Sequence, residues 1–437
     1  MSSLAHLSSV RSTIIAVAVA AAAPASALQP LSEFLVAARG ASVDNREAAM
    51  TAVEQEQEAL AALGRELPDV LVRGTYTRNQ FAAVFPVTDM SGATRTLTIQ
   101  PSDQWDLFAQ ADAPLVDFGG WARARAAYRA SRAARYSARA TALDVQKQVA
   151  RYYYALIGAE ALRSSASRTL AAAQQNAELT RDRRAAGVAT ALDVERAQAE
   201  VERARQNIAD AGLQAQLAQR ALHTLTGVTA SGDAVATPDD LHPESPLSEW
   251  EATPAARIPA LAAAAEQARS AATSARAARL SLIPTLTATF VERVTNATSF
   301  IGQPNYYTFT LNLNWRLDLT TLANLRVQSS LAQLARIRDE RARLAVRDQL
   351  YEAWQRVRTG IIKSQAARAQ ARAATLAAQY ANERYLNGAG TQLDVVQAQR
   401  DAFAADVSRV QADAELAYAR ALLRLTAGVP LDQDPRS

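Results

Sequence analysis

The sequence predicts a mainly α-helical protein with a small membrane-type β-region, built as an internal tandem repeat. Three observations support this prediction. One eight-residue motif occurs twice, 201 residues apart. Two long spans, between Pro114 and Pro238 and between Pro304 and Pro430, contain no proline. Several short segments alternate apolar and polar side chains, which is the pattern of a strand with two unlike faces.

The composition excludes several classes of site. The chain has 437 residues, no cysteine, and 47 basic against 43 acidic residues, for a net charge of +4. Disulfides, thiolate metal sites and cysteine nucleophiles are therefore excluded. The three histidines, His6, His223 and His242, lie far apart, so we expect no metal site, no cofactor and no enzyme. The basic residues form no concentrated block, so nucleic acid is not an expected partner.

The first 27 residues have the order of a secretory signal peptide. Arg11 precedes an apolar run at 13–23, which Ala25-Ser26-Ala27 follows, so cleavage is predicted after Ala27. An uncleaved anchor is the alternative, but the run is shorter than a membrane-spanning helix. No later segment has 18 consecutive apolar residues, so any entry into a membrane is expected to use strands.

The duplicated motif is Gly-x-x-Thr-x-Leu-Asp-Val, and we predict that each copy forms a turn between two long helices. Its shared positions are Gly187, Thr190, Leu192, Val194, Gly388, Thr391, Leu393 and Val395. Features upstream recur in the same order, so we place the first repeat at 28–228 and the second at 257–429. An equatorial linker at 229–256 separates them, and a C-terminal tail follows at 430–437.

The proline-free spans predict unusually long helices. Good helix formers dominate them, and we expect helices near 119–186, 191–226, 320–387 and 392–427. A 68-residue helix is about 100 Å long. Shorter helices near 43–66 and 257–282 are expected to stack on the 36-residue helices, so that each pair runs beside one long helix. A seam with alternating spacings of three and four indicates coiled-coil packing; it comprises Val194, Ala197, Val201, Ala204, Ile208, Ala211, Ala215, Ala218, Leu222 and Leu225.

Two β-hairpins are predicted, at about 69–117 and 285–318. The clearest alternation runs through 307–318, from Tyr307 to Asp318, and Phe108 breaks a similar pattern at 105–112. We expect 82–94 and 296–305 to be the turns of the hairpins. A soluble sheet with one buried face is one interpretation. A membrane barrel is the other, and since four strands cannot close one, three subunits would have to pool twelve.

The chain resembles the TolC-type outer-membrane efflux proteins over its mature length. The resemblance depends on the duplicated turn, on Leu-x-x-Leu-Thr-Gly227 and Leu-Thr-Ala-Gly428, and on Leu-Val-Asp117-Phe-Gly-Gly120. It implies a homotrimer with one twelve-stranded barrel in outer-membrane lipid and a coiled-coil tunnel of twelve helices in the periplasm. It also implies two partners, a periplasmic adaptor (membrane fusion) protein and an inner-membrane pump. Without an N-terminal cysteine to acylate, the chain resembles the unacylated members.

The resemblance also implies a periplasmic gate at the two turns. Tyr385 matches a gate tyrosine, Asp193 its acidic partner, and Asp394 one ring of constricting aspartates. Gln397 and Gly390 depart from the pattern, because the best-known member has an aspartate and an arginine there. Capping is the alternative role for Thr190-x-x-Asp193 and Thr391-x-x-Asp394, which have the spacing of capping boxes.

The expected function is the outer-membrane exit duct of a tripartite efflux or type I secretion system. It would be a passive trimeric channel, opened at its periplasmic tip by the adaptor and the pump. A periplasmic coiled-coil adaptor or scaffold is the alternative. The two hairpins and four amphipathic strands argue against it, since adaptors usually carry one helical hairpin. The sequence does not identify the cargo.

Overall fold

A computed structural model of the chain describes residues 28–88, 90, 92–232, 241–298 and 300–431. The predicted signal peptide, part of the predicted linker (233–240) and most of the predicted tail (432–437) lie outside these residues. The described helices are α1 Leu31–Ala41, α2 Val43–Gly64, α3 Phe118–Ala185, α4 Ala191–Thr226, α5 Leu247–Glu251, α6 Pro259–Leu280, α7 Leu319–Leu386 and α8 Gln392–Thr426. The described strands are β1 Asp69–Arg78, β2 Ala83–Thr88, β3 Thr94–Gln100, β4 Asp103–Val116, β5 Thr285–Thr295 and β6 Asn305–Asn314.

The long helices α3 and α7 both have 68 residues, and an aspartate precedes and caps each of them. Asp117 accepts a hydrogen bond from the Gly120 N–H at 2.7 Å, and Asp318 accepts one from the Thr321 N–H at 2.7 Å. Each cap satisfies a backbone donor that has no partner within the helix. The bounds of α3, α4, α7 and α8 lie within one residue of those expected from the sequence.

Each long helix has two shorter helices along its length. Helices α2 and α4 both pack on α3, and α6 and α8 both pack on α7. The expected arrangement of two short helices beside one long helix is therefore confirmed. Helix α6 also packs on α3 and thereby joins the two repeats. None of the described helices combines the length and the hydropathy of a membrane-spanning helix.

The N-terminal helix α1 was not predicted from the sequence. Its Phe34 and Leu35 are fully buried in the largest apolar cluster of the described residues, against α3, α4 and α8. The Phe34 and Tyr153 rings are 5.8 Å apart. The segment 31–41 is too short for a clear helical periodicity, so only its tertiary partners show that it is a core element.

The two repeats meet in one antiparallel sheet of strand order β1-β4-β5-β6. The central pair joins β4 of the first repeat to β5 of the second, and the edges are β1 and β6. One face carries large apolar side chains, among them Tyr307, Phe309 and Leu313, which are 60–69% exposed. The opposite face is mainly polar. The predicted fold class is confirmed.

The prediction that 82–94 is only a turn is wrong. Strands β2 and β3 form a second hairpin there, inserted between β1 and β4. Pro86 lies within β2 and obscured the strand pattern, although the β-branched and aromatic residues around it favour extended backbone. The Phe85 ring packs edge-on against Phe300, in the turn of the other hairpin, at 6.3 Å.

Gly120 leaves room for the Glu66 carboxyl where the first hairpin meets α3. A Cβ built at this position would lie 2.0–2.2 Å from the carboxyl group of Glu66, which is only 7% exposed. We expect Gly120→Ala to displace that carboxyl and lower the free energy of unfolding by roughly 1–3 kcal/mol, as overpacking usually does. Thermal unfolding of the purified protein in detergent measures the effect. Gly212→Ala is the control, because a Cβ there meets nothing within 4 Å; equal stability of the two variants would contradict the prediction.

Candidate functional site at the two helix turns

The α3–α4 and α7–α8 turns have the same backbone construction. Each long helix is followed by a glycine with positive φ, 76° at Gly187 and 74° at Gly388. Glycine adopts this left-handed conformation without steric cost, which ends the helix and reverses the chain. In both turns a threonine three residues after the glycine, Thr190 or Thr391, caps the next helix, which starts one residue later. The predicted tip positions therefore form two equivalent turns.

Both predicted capping boxes are present. The Thr190 hydroxyl accepts from the Asp193 N–H at 3.2 Å, and the Thr190 N–H donates to Asp193 Oδ2 at 2.9 Å. Thr391 and Asp394 make the same two bonds at 3.2 and 2.9 Å. Both aspartates therefore have a structural role that does not depend on any gate.

The capping bonds also favour the ionised form of these aspartates. The hydroxyl and N–H of Thr190 lower the pKa of Asp193 below its usual value, and the N–H and hydroxyl of Thr391 do the same for Asp394. A carboxylate that accepts such bonds is favoured in its charged form. Asp193 is partly buried, Asp394 is exposed, and both are ionised at neutral pH.

Tyr385 is 5% exposed, and its hydroxyl has no hydrogen-bond partner among the described residues. It is therefore not bonded to Asp193, whose carboxylate is held by Thr190. The Tyr385 ring instead packs under the guanidinium of Arg183, with Cζ 4.5 Å from the ring centroid. This distance is within the range of a cation–π contact.

Arg183 connects the two turns, and sequence reasoning missed it. From the last turn of α3, its Nη1 donates to the carbonyl oxygens of Tyr385 at 3.2 Å and Leu386 at 3.4 Å. These carbonyls end α7, where backbone acceptors lack helical partners and the helix dipole is negative. Its position was a usable sequence signal, since a basic residue four residues before the motif glycine lies in the last turn of the helix, near the terminal carbonyls. The equivalent residue of the second repeat, Arg384, binds Ala389 O in its own turn at 3.1 Å.

The two positions that depart from the family pattern carry no charge. Gln397 is exposed and donates from its side-chain amide to Asp401 at 3.1 Å, one turn further along α8. Gly390 lies close under the end of α7, and a Cβ there would be 3.3 Å from both Arg384 Cβ and the Tyr385 nitrogen. A side chain at 390 would therefore require the end of α7 to shift.

Two polar contacts above the turns also join α8 to the helices of the first repeat. Arg400 binds Glu200 of α4, with Nε 3.0 Å from Oε1. The Ser165 hydroxyl of α3 donates to Asp406. Burial raises the pKa of Asp406, but hydrogen bonds from Ser165 and Arg409 outweigh it, so the net pKa is lowered.

Within the part of the chain that the structure describes, no group of three or more His, Asp or Glu residues could hold a metal ion.

Comparison with known proteins agrees with this architecture. The family model for outer membrane efflux proteins matches residues 36–228 and 254–429, which together are more than half of the chain. No curated protein sequence matches the chain.

Several solved structures share the fold. A membrane protein from Pseudomonas aeruginosa has a TM-score of 0.80 at 21% identity, covering 92% of this chain and 91% of its own. The Campylobacter jejuni CmeC outer membrane channel has a TM-score of 0.78 at 15% identity, with coverages of 92% and 86%. The open state of the Neisseria gonorrhoeae MtrE outer membrane channel has a TM-score of 0.74 at 21% identity, with coverages of 94% and 92%.

The Arg183 contact generates a prediction about the turns. We expect Arg183→Gln to speed amide hydrogen exchange at 384–392 by about tenfold or more, because the α7 carbonyls lose a charged hydrogen-bond donor, worth roughly 1.5–3 kcal/mol. Hydrogen–deuterium exchange with mass spectrometry measures this. Arg184→Gln, at the exposed neighbouring position, is the matched control. The same exchange rate in both variants would show that the contact does not stabilise the turns.

Proposed function

The chain belongs to the outer membrane efflux protein family, and from this premise we propose how three copies form one duct and how its tip closes. The protein is an outer-membrane efflux channel with a helical tunnel in the periplasm, and it is not an enzyme. The adaptor alternative is not favoured, because the family match covers both repeats. We propose that residues 1–27 are a signal peptide and that 229–256 is an equatorial linker between the repeats.

The open sheet supports a trimer. Strands β1 and β6 are edges in the single chain, and unpaired edges are not tolerated in lipid. Three chains that pair β1 with the β6 of a neighbour close a barrel of twelve strands. The apolar face, with Tyr307, Phe309 and Leu313, then faces lipid, and the polar face lines the lumen.

Exposed apolar stripes on α2 and α7 are the main evidence for the same trimeric assembly. On α2, Val43, Met50, Val53 and Leu60 are 47–64% exposed and spaced by seven, three and seven residues. On α7, the exposed residues Val327, Leu334, Ile337 and Leu344 have the same spacing. Such spacing marks the seam of a coiled coil, and each stripe lies opposite the side on which its helix already packs.

The two stripes match in one antiparallel register. Helix α2 runs toward the sheet and α7 runs away from it, so helices of neighbouring chains are antiparallel. Setting Met50 opposite Ile337 also places the other three apolar pairs opposite each other, which are Val43 with Leu344, Val53 with Leu334, and Leu60 with Val327. We infer that this heterologous contact, repeated three times, closes the upper tunnel.

Charge around the stripes favours the same pairing. Near the α2 stripe, Asp44, Glu47, Glu54 and Glu58 outnumber Arg46. Near the α7 stripe, Arg326, Arg338, Arg341 and Arg347 outnumber Glu340 and Asp348. Exposed ion pairs contribute little affinity each, but opposite net charge disfavours α2–α2 and α7–α7 pairing.

At the tip, we propose that Asp394 from three chains forms a ring of negative charge, with Asp193, Tyr385 and Gln397 around it as gate residues. Ionised carboxylates in a narrow ring focus potential and attract cations. Gly390 and Gln397 cannot form the charged contacts of the arginine and aspartate found there in the best-known family member. We propose that the hydrogen bonds from Arg183 to the end of α7 hold the two turns together instead. A periplasmic adaptor and an inner-membrane pump would open the tip by separating the two helix pairs and would deliver the cargo.

The assembly has a direct test, because the chain has no native cysteine. We expect Met50→Cys/Ile337→Cys to form covalent dimers and trimers under mild oxidation, since the proposed register brings the two positions together. Non-reducing gel electrophoresis of outer membranes measures the products. Met50→Cys/Tyr380→Cys is the control, because Tyr380 is also exposed on α7 but lies far from the stripe. Cross-linking in the control alone would refute the register.

The acidic ring has a separate test in planar bilayers. We expect Asp394→Ala to weaken block by a trivalent cation added on the periplasmic side by about tenfold or more, because three carboxylates are lost from one ring. The control is Glu352→Gln, which removes an exposed carboxylate in the middle of α7. Unchanged block in Asp394→Ala would leave capping as the whole role of Asp394.

A further inference from the structure

Phe108 is an apolar residue on the polar face of the sheet. On β4, Asp106, Phe108, Gln110 and Asp112 point to one face, because alternate residues of a strand share a face. In the sequence, Phe108 breaks the alternation of this strand. The duct function does not explain the exception, because a polar lumen has no need of an aromatic ring at this position.

Two arginines flank Phe108 across the sheet. The register places Arg73 of β1 and Arg293 of β5 directly opposite it. The guanidinium Cζ of Arg73 lies 5.5 Å from the centre of the Phe108 ring, and that of Arg293 lies 5.2 Å from it. Both distances are within the range of cation–π contacts, so the ring positions two cations on the same face.

The two arginines differ in their charge compensation. Arg293 donates to Asp106 Oδ1 from Nε at 2.9 Å and from Nη2 at 2.6 Å, and its Nη1 donates to the Tyr306 hydroxyl at 3.0 Å. Arg73 is exposed and forms no salt bridge with any residue that the structure describes. Of the described residues, Asp106 is therefore the one carboxylate beside the two guanidinium groups of Arg73 and Arg293, and it pairs with Arg293.

A neighbouring subunit does not supply the missing carboxylate. In the proposed trimer, β1 pairs with the β6 of the next chain, and β6 contains no acidic residue in its sequence NYYTFTLNLN. The nearest other acids on this face, Asp69 and Asp112, are four residues along their strands, or about 13 Å away. Glu292 lies opposite Tyr307 and so belongs to the lipid-facing side.

We propose that Arg73, positioned by the Phe108 ring, is a binding site for aromatic anions on the barrel wall, present three times around the lumen. The proposal rests on the proposed trimeric duct. A sulfonate or carboxylate group accepts two parallel N–H bonds from the open edge of the Arg73 guanidinium. An attached ring stacks on the exposed guanidinium plane beside Phe108. A multivalent aromatic anion contacts more than one copy and gains affinity from the ring arrangement.

The test uses the purified trimer in planar bilayers, with 1,3,6,8-pyrenetetrasulfonate added on the side of the strand turns. The wild-type channel is expected to be blocked in a concentration-dependent way. Arg73→Gln is expected to weaken this block by about tenfold or more, because up to three guanidinium contacts are lost. Arg78→Gln is the matched control, since Arg78 lies on the same strand but on the opposite face and pairs with Asp103 at 3.5 Å.

Hexacyanoferrate(III), a trivalent anion without an aromatic ring, distinguishes the contribution of charge to the block from that of ring stacking. Phe108→Leu is expected to weaken block by pyrenetetrasulfonate more than block by hexacyanoferrate. Arg73→Lys keeps the charge, so it is expected to retain the hexacyanoferrate block and to lose affinity for the aromatic anion. This variant also serves if Arg73→Gln does not assemble.

The outcomes distinguish this inference from the proposed function. Wild-type pores that pyrenetetrasulfonate does not block overturn the aromatic-anion site and leave the duct intact. Equal block in Arg73→Gln and Arg78→Gln also overturns the site alone. A wild-type protein that forms no pores at all overturns both the duct and the site.

Discussion

Close approach of helix backbones is the constraint on which the rest of the structure depends. A 68-residue helix cannot bury its own surface, so α3 and α7 need partners along their whole length. Small residues permit the approach. A Cβ at Gly158 would lie 3.3 Å from Ala414 Cβ, and one at Gly360 would lie 3.2 Å from Leu416 Cδ1. Many small contacts therefore hold the helices together, and the stripes left exposed on α2 and α7 are those that we propose to pack on a neighbouring chain.

The repeats share a scaffold and differ in what their tips contact. The capping boxes have the same geometry in both copies, so each turn is stable in itself. Arg183 reaches across to the end of α7, whereas its counterpart Arg384 binds its own turn. Duplication thus supplies two turns of the same construction, and Arg183 of the first repeat links them by binding the end of α7. Such a link can be broken without unfolding either turn.

Unsatisfied polar groups accompany that link. The Tyr385 hydroxyl and both polar atoms of the Gln392 side chain are buried without a hydrogen-bond partner among the described residues. Each unsatisfied buried group costs about 1–3 kcal/mol. These unsatisfied groups therefore lower the stability of the contact between the two turns. A rearrangement that exposes these groups to water recovers part of that cost, which is consistent with a tip that opens while the tunnel stays intact.

The sequence alone determined the long helices, the duplicated turns and the caps, because periodicity, proline-free spans and the Thr-x-x-Asp spacing act through local backbone geometry. It failed where local signals conflict with tertiary partners. Pro86 hid the β2–β3 hairpin, and α1 is too short to be recognised without the cluster around Phe34. Only the folded chain placed Arg183 on Tyr385 and Arg73 beside Phe108, because each contact joins residues far apart in sequence. Such contacts depend on helix packing and strand register, which no spacing within one segment encodes.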